Sequence, residues 1–218
     1  MTDVKIPAVI CHSTICHLYF WGMTPERKEK LERVLHHRQP GLAVVLENVD
    51  DPRNVTAVMR SCDAVGIQDV YVINTIPPRD RNWGFRSGRS AEKWITLHRF
   101  TDTASCVRAL REQYQSIFTT RLSEDSVSMY QVDFTGSVAI VFGNERTGVS
   151  DEMAALADGN INIPQVGMVQ SLNISVACAV CIYEAFRQKQ AAGHYQQPAL
   201  PEARRAALWE EWKQWSGE

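Results

Sequence analysis

The stretch from Asn160 to Gln190, NINIPQVGMVQSLNISVACAVCIYEAFRQKQ, constrains the fold more than any other, because it changes character three times along its length. Ile161 and Ile163 alternate with Asn160 and Asn162, the two-residue period of a strand. Pro164 has no amide hydrogen for a further ladder bond and Gly167 loosens the backbone, so the strand stops at Pro164. From Ser171 onward Leu172, Val176, Ala179, Val180, Tyr183 and Phe186 recur at helical spacing, and Ser171 or Asn173 can supply a capping oxygen. A long helix therefore follows an uncharged loop, Gln165 to Gln170. Such a loop belongs at the carboxyl end of a strand beside a helix amino terminus, where α/β proteins bind ligands. It carries no basic group for phosphate and suits backbone recognition of a neutral or zwitterionic molecule such as a nucleoside. A tight crossover without a ligand is the plain alternative.

The remainder of the chain supplies the layers this stretch needs. Thr24 as cap, Pro25 and Glu26 open a helix with the apolar stripe Leu31, Val34 and Leu35. Its other faces carry Arg27, Lys28, Lys30, Arg33, His36, His37 and Arg38, either a solvated surface or an arm that touches phosphates. Leu42 to Leu46 is a continuously apolar strand, Asn54 to Gly66 a helix ended by glycine in a left-handed turn, and Val70 to Ile73 the next strand. Trp94 to Leu97, Ser116 to Thr120 and Val138 to Phe142 read as further strands, and Asp102 to Tyr114 as a helix. Ser123 to Ser126 form an acidic turn, and Ser150 caps a short helix through Leu156. The alternation gives an α/β fold with a mainly parallel sheet flanked by helices. Pro201 to Trp215 forms a terminal amphipathic helix with Leu208, Trp209, Trp212 and Trp215 along one side, a docking surface.

Composition narrows the setting. A chain of 218 residues with 44% apolar residues can bury one sizeable core, with short helical additions at its ends. The domain reading is an N-terminal helix over 23–40, a main domain over 41–193 and a helical extension over 194–218. Residues 1–22 are read as an extension, disordered or foreign to the natural protein, with Met23 as an alternative start. They form neither a signal peptide nor a membrane span. The six cysteines show no disulfide framework, which points to reduced thiols and a cytoplasmic setting. Cys11, His12, Cys16 and His17 lack a second pair of comparable spacing, so no metal is expected. The net charge of −2 argues against nucleic-acid binding over the whole surface and leaves room for a local basic face. Residues 74–90 hold Arg79, Arg81, Arg86 and Arg89 interleaved with Trp83 and Phe85, which suits RNA as well as it suits a solvated loop.

Gly143 to Gly148 has the outer glycine spacing of a phosphate loop, but Val149-Ser150 stands where that motif needs lysine and a hydroxyl residue. No dinucleotide fingerprint or nucleophile elbow occurs. The loops left as ligand sites lie around Thr120, at Gly143 to Gly148, and at Ile163 to Leu172.

Three segments in order resemble the signature motifs of the SPOUT methyltransferases, in their TrmH (SpoU) branch. They are Asn54-x5-Arg60-x5-Gly66, Val141-Phe-Gly-Asn-Glu145-Arg-Thr-Gly148 and Ile163-Pro-x2-Gly167-Met-x-Gln-Ser-Leu-Asn173-x-Ser175, within a similarity from about Arg38 to Gly193. The resemblance implies S-adenosyl-L-methionine as methyl donor, a deep trefoil knot in the C-terminal part of the sheet, and a homodimer with the active site at its interface. It implies cofactor contacts from Thr120, Gly143, Ile163, Met168 and Leu172, largely through the backbone. The same resemblance makes Arg60 the catalytic arginine, with Asn54, Glu145, Ser171 and Asn173 as the other motif positions.

The implied activity is methylation of a ribose 2′-hydroxyl in RNA, most similar to the tRNA guanosine enzymes that act in the D-loop. Another RNA or another tRNA loop, ribosomal RNA included, and a non-catalytic RNA-binding dimer are the alternatives. Two aspartates, Asp50 and Asp51, stand where relatives tend to be basic and place negative charge near the phosphate path. Arginine, with a pKa above about 12, is a poor general base. Arg60 is thus expected either to stabilise the developing alkoxide and a nearby phosphate or to lose its proton only in the closed site. Asn54 and Arg60, six positions apart, share a cleft only if Asn54 precedes the helix.

Overall fold

The computed structural model describes residues 23–76 and 91–215. The cysteine and histidine cluster near the start, the question of whether 1–22 are native, and the arginines at 79, 81, 86 and 89 with their aromatic neighbours lie outside those residues.

Helix α1 (Pro25–His36) begins as the sequence dictates, with Thr24 Oγ1 accepting from the Arg27 amide at 3.3 Å. Strand β1 (Gln39–Glu47) is followed by α2 (Pro52–Ala64), β2 (Ile67–Ile73) and β3 (Thr96–Phe100). Helix α3 (Thr103–Arg111), β4 (Ser116–Thr119), β5 (Val127–Ser128) and β6 (Val138–Phe142) come next. The chain then forms α4 (Asp151–Leu156), β7 (Gly159–Asn162), α5 (Ile174–Ala191) and α6 (Glu202–Lys213). Among the described residues the strands form one seven-stranded sheet of order β3-β2-β1-β6-β4-β7-β5, and every pairing is parallel.

Parallel pairing needs crossover helices on both faces, which is why residues 42–46 of β1, residues 70–73 of β2 and all of β6 are apolar without interruption. Leu42, Val44 and Leu46 point to one face, where α2 and α5 cover them with Val58, Cys62, Cys178 and Ile182. Ala43 and Val45 point to the other, beneath Cys106 and Leu110 of α3 and Met153 of α4. Each fully buried Leu, Ile or Val contributes about 1.5–3 kcal/mol, so this double layer dominates stability.

Several local readings are corrected. Trp94 is the end of a 3-10 turn, Ala91–Trp94, and the strand assigned from it begins at Thr96. Helix α3 stops at Arg111, three residues before Tyr114, which folds back with its amide on the Leu110 carbonyl at 2.7 Å. The two-residue β5 had no periodicity to reveal it; it exists because it pairs with β7. Arg38, grouped by sequence with the solvated or phosphate-facing basic residues, is fully buried. It lies past the end of α1 and donates to Asp63 at 2.6 Å, to the Ile67 carbonyl at 3.1 Å and to the Trp94 carbonyl at 3.0 Å. Burial lowers its pKa while Asp63 opposes the shift.

The terminal helices form a third apolar cluster in which Leu31 and Leu35 of α1 meet Leu208 and Trp212 of α6. Trp215 does not join this stripe and is 38% exposed, with the Lys93 ammonium 4.8 Å from its ring centre.

Candidate functional site

The carboxyl ends of β4, β6 and β7 open into a cleft of 570 Å³. Its floor and walls include Phe142, Ile161, Ile163, Leu172 and Ile174, and its rim carries Thr120, Arg121, Glu145 and Asn173. The volume falls in the range of small-molecule sites, and a lining of apolar side chains mixed with polar ones suits a nucleoside.

The turn after β6 is shaped by its two glycines. Asn144 and Gly148 exchange backbone bonds at 3.1 Å and 2.8 Å, while Asn144 Oδ1 accepts from the Arg146 and Thr147 amides at 2.8 Å and 3.2 Å. Gly148 has φ +70°, and a Cβ on Gly143 would collide with the backbone of Gly148 and Val149. The end of the turn is fixed from β1: buried Glu47 accepts from the Ser150 amide at 2.9 Å and from its hydroxyl at 2.6 Å. Ser150 is also the cap of α4, so one carboxylate holds both the turn and the helix.

Asn48, with φ 52°, turns the chain at the end of β1, and its carbonyl accepts from Asn144 Nδ2 at 2.7 Å. Helix α2 starts at Pro52 with Asp51 as cap, whose carboxylate accepts from the Arg53 amide at 2.9 Å. Its bonds to Arg53 hold the Asp51 carboxyl below the ordinary range. Asn54 is therefore inside the first turn of the helix. Its Nδ2 donates to Glu145 Oε1 at 2.8 Å, and its Oδ1 accepts from Asn173 Nδ2 at 3.2 Å. Asn173 caps α5, accepting from the Ser175 amide at 2.9 Å. Three sites distant in sequence thus form one polar chain along the cleft mouth.

Eight of the residues singled out by sequence meet here: Thr120, Gly143, Glu145, Ile163, Ser171, Leu172 and Asn173 line the cleft, and Asn54 joins through its bonds to Glu145 and Asn173. Two do not line it. Arg60 lies on an exposed face of α2, since a helix that begins before Asn54 turns the two side chains apart. Met168 is 99% exposed at the tip of the loop 165–170, with Val166 and Val169 exposed beside it. Sequence reasoning gave no role to Asn160, Arg121 or Glu47, whose single polar side chains carry no recognisable spacing.

Cys62, Cys106, Cys178 and Cys181 are buried and free, and burial pushes the Cys106 and Cys181 thiols up to about 12. Burial, and then the neighbouring Cys62, also raise the Cys178 thiol. Thiolate chemistry at neutral pH is disfavoured for Cys106, Cys178 and Cys181. Among the described residues no group of acidic, histidine or cysteine side chains is arranged to hold a metal ion, and no helix is long and apolar enough to cross a membrane.

Residues 41–183 match the SpoU rRNA Methylase family. The tRNA (guanosine(18)-2′-O)-methyltransferase of Thermus thermophilus is 43% identical over 180 residues, covering 81% of this chain and 90% of its own. The solved TrmH/SpoU tRNA modifying enzyme of A. aeolicus superposes with a TM-score of 0.78 at 35% identity, over 87% of this chain and 95% of that one. An AdoMet-bound rRNA methyltransferase from Sinorhizobium meliloti gives a TM-score of 0.61 at 27% identity, over 71% of this chain and 59% of that one. A family match over most of the sheet-forming sequence, joined to relatives that align along most of their length, means that this chain belongs to the SpoU methyltransferase family.

Proposed function

We propose that the protein transfers the methyl group of S-adenosylmethionine to the ribose 2′-hydroxyl of a guanosine in tRNA, at the position, 18, named for its relative from Thermus thermophilus. The observation that carries this reading is the polar chain Asn173–Asn54–Glu145 at the mouth of a nucleoside-sized cleft.

The residues present fit the donor. Thr120, Gly143, Ile163 and Leu172 offer backbone groups and apolar surface, suited to an adenosine rather than to a phosphate. When bound, S-adenosylmethionine supplies an electrophilic methyl group on sulfonium. The protein's part is to hold the hydroxyl in line with that methyl, to exclude water and to stabilise charge as the hydroxyl proton leaves. Asn54, Glu145 and Asn173 orient one another and fix the acceptor side, with Ser171 next to them on the cleft wall. Arg60 supplies the positive charge for the developing alkoxide and an adjacent phosphate.

Arg60 lies outside its own cleft, and this supports a homodimer in which each protomer's Arg60 serves the cleft of its partner. The exposed Val166, Met168 and Val169, continued on α5 by Val176 and Tyr183, form the apolar face that two copies bury. Met168 reaches the cofactor in that assembly. The sheet order supports the trefoil knot. β7 lies between β4 and β5 in the sheet, and the chain after β7 goes back to pack α5 on α2.

The test is transfer of labelled methyl from S-adenosylmethionine to unmodified tRNA transcripts and to ribosomal RNA, with the modified nucleotide mapped. Label on guanosine 18 ribose, lost in Arg60→Ala, is the expected result. Label confined to ribosomal RNA keeps the chemistry and replaces the substrate, and donor binding without transfer to any RNA leaves a binding role.

A further inference from the structure

We propose that Asn160 is a positioning residue that sets the donor-side wall of the cleft, and that affinity for the methyl donor depends on its carboxamide. The inference rests on the reading of the cleft given under Proposed function.

The wall in question is the segment after β4. Thr120, Arg121 and Leu122 all line the cleft, yet the segment belongs to no helix or strand, and Leu122 is 63% exposed without an apolar partner to anchor it. Thr120 is tied to β6, its amide and hydroxyl donating to the Val141 carbonyl at 3.0 Å and 2.9 Å, and beyond it one side chain on the neighbouring strand meets both backbone groups of Arg121. The ladder between β4 and β7 ends at the pair Thr119 and Asn160. One step further, the Asn160 side chain takes over: Oδ1 accepts from the Arg121 amide at 2.8 Å and Nδ2 donates to the Arg121 carbonyl at 2.7 Å. A carboxamide offers a donor and an acceptor side by side, as a backbone does, so it closes a ring with Arg121 where the strands have already parted.

The rest of the amide is used as well. Oδ1 also accepts from Thr119 Oγ1 at 3.0 Å, and Nδ2 is 2.7 Å from Ser123 Oγ and 2.8 Å from Ser126 Oγ. The Ser126 hydroxyl in turn is within 2.9 Å of the Arg121 carbonyl and accepts from the Ser123 amide at 3.1 Å. The acidic turn 123–126 is thereby tied back to β7, and Thr120 is held between it and the strand. Arg121 is fixed at its far end by an ion pair with Asp151 at 2.5 Å. That pair lies at the surface, with Asp151 almost fully exposed, and contributes little by itself. The Ser126 hydroxyl also donates to the Arg121 carbonyl, but the carboxamide joins both backbone groups of Arg121 to β7 at once.

The isosteric change Asn160→Asp isolates the claim. It keeps the acceptor toward the Arg121 amide and removes the donor, setting a carboxylate oxygen against the Arg121 carbonyl. The expected result is a rise of about tenfold in the donor's Kd by calorimetry and in its KM, the scale of a lost hydrogen bond with an unsatisfied partner. The kcat at saturating donor and the affinity for tRNA stay within about threefold, because Asn54, Glu145 and Asn173 lie on the other side of the cleft. A residue of merely structural importance would lower melting temperature, kcat and RNA affinity together. That pattern, or unchanged donor affinity in Asn160→Asp, overturns the proposal.

A wild-type protein that fails to bind S-adenosylmethionine overturns the functional reading and this inference with it. Binding by wild type and variant alike overturns the inference alone. Should Asn160→Asp not fold, hydrogen exchange of the wild type decides: the Arg121 amide is expected to exchange as slowly as amides in β4, and exchange at the rate of an open loop sinks the idea.

Discussion

Asn54 and Glu145, separated by 91 positions in the chain, are joined by a hydrogen bond of 2.8 Å from Nδ2 to Oε1. The bond ties the first turn of α2 to the turn after β6, and Asn173 extends it to the cap of α5. Each of the three motifs thus fixes the other two, and the cleft mouth exists only when β1, β6 and β7 have all been placed.

Replacing Asn54 with alanine leaves Glu145 without this donor and Asn173 without its acceptor. Methyl transfer is expected to fall about 100-fold, the scale of a small misplacement of reacting groups. Donor affinity should hold within about threefold. Single-turnover kinetics beside calorimetry measure both, and a parallel loss of the two would place Asn54 in cofactor binding instead.

Gly143→Ala forces a Cβ into the backbone of Gly148 and Val149. The neighbour is backbone and cannot rotate away, so the turn must shift, at a cost of about 1–3 kcal/mol. A lower melting temperature together with weaker donor binding is expected, and calorimetric scans with and without S-adenosylmethionine check it.

Arg38→Met removes the partner of Asp63 and of the Ile67 and Trp94 carbonyls in a fully buried position. Breaking such a pair from one side costs about 3–5 kcal/mol. Urea denaturation should show a loss of that order. A loss within experimental error would show that the three acceptors find other donors.

Lys189 is buried at the end of α5, where Nζ donates to the Thr135 and Gly136 carbonyls at 3.1 Å and 2.6 Å. Burial lowers its pKa from 10.5 to about 8, against the opposing pull of Asp133. Between pH 8 and 10.5 the unfolded chain binds a proton here that the folded chain has released. Stability contributed by this group therefore rises with pH through that window and is constant below it, with a slope of at most about 1.4 kcal/mol per pH unit. Subtracting the pH profile of Lys189→Met from that of the wild type should leave this rising limb, and a flat difference would count against the shifted titration.

Val176→Asp puts a charge on the exposed apolar face of α5. Sedimentation should show a monomer with methyl transfer lost, while far-ultraviolet circular dichroism stays unchanged. A dimer of wild-type stability would place the interface elsewhere.

Much of this protein was legible in its sequence because period and punctuation are local. Apolar runs such as Val138 to Phe142 can only be strands covered on both faces, and Thr24-Pro25 and Ser150 start helices wherever they are met. The motif residues that line the cleft were likewise visible, since they sit where strands end. Tertiary structure alone decided the pairing of β5, the inward turn of Arg38 and the place of Arg60. The first two depend on partners far along the chain, β5 on Ile161 and Asn162 and Arg38 on Asp63 and the Ile67 and Trp94 carbonyls, while Arg60 depends on the residue at which α2 begins. Asn160 is the clearest case. In sequence it is one polar residue of an alternating strand, and only the end of the β4–β7 ladder gives its amide a backbone to imitate.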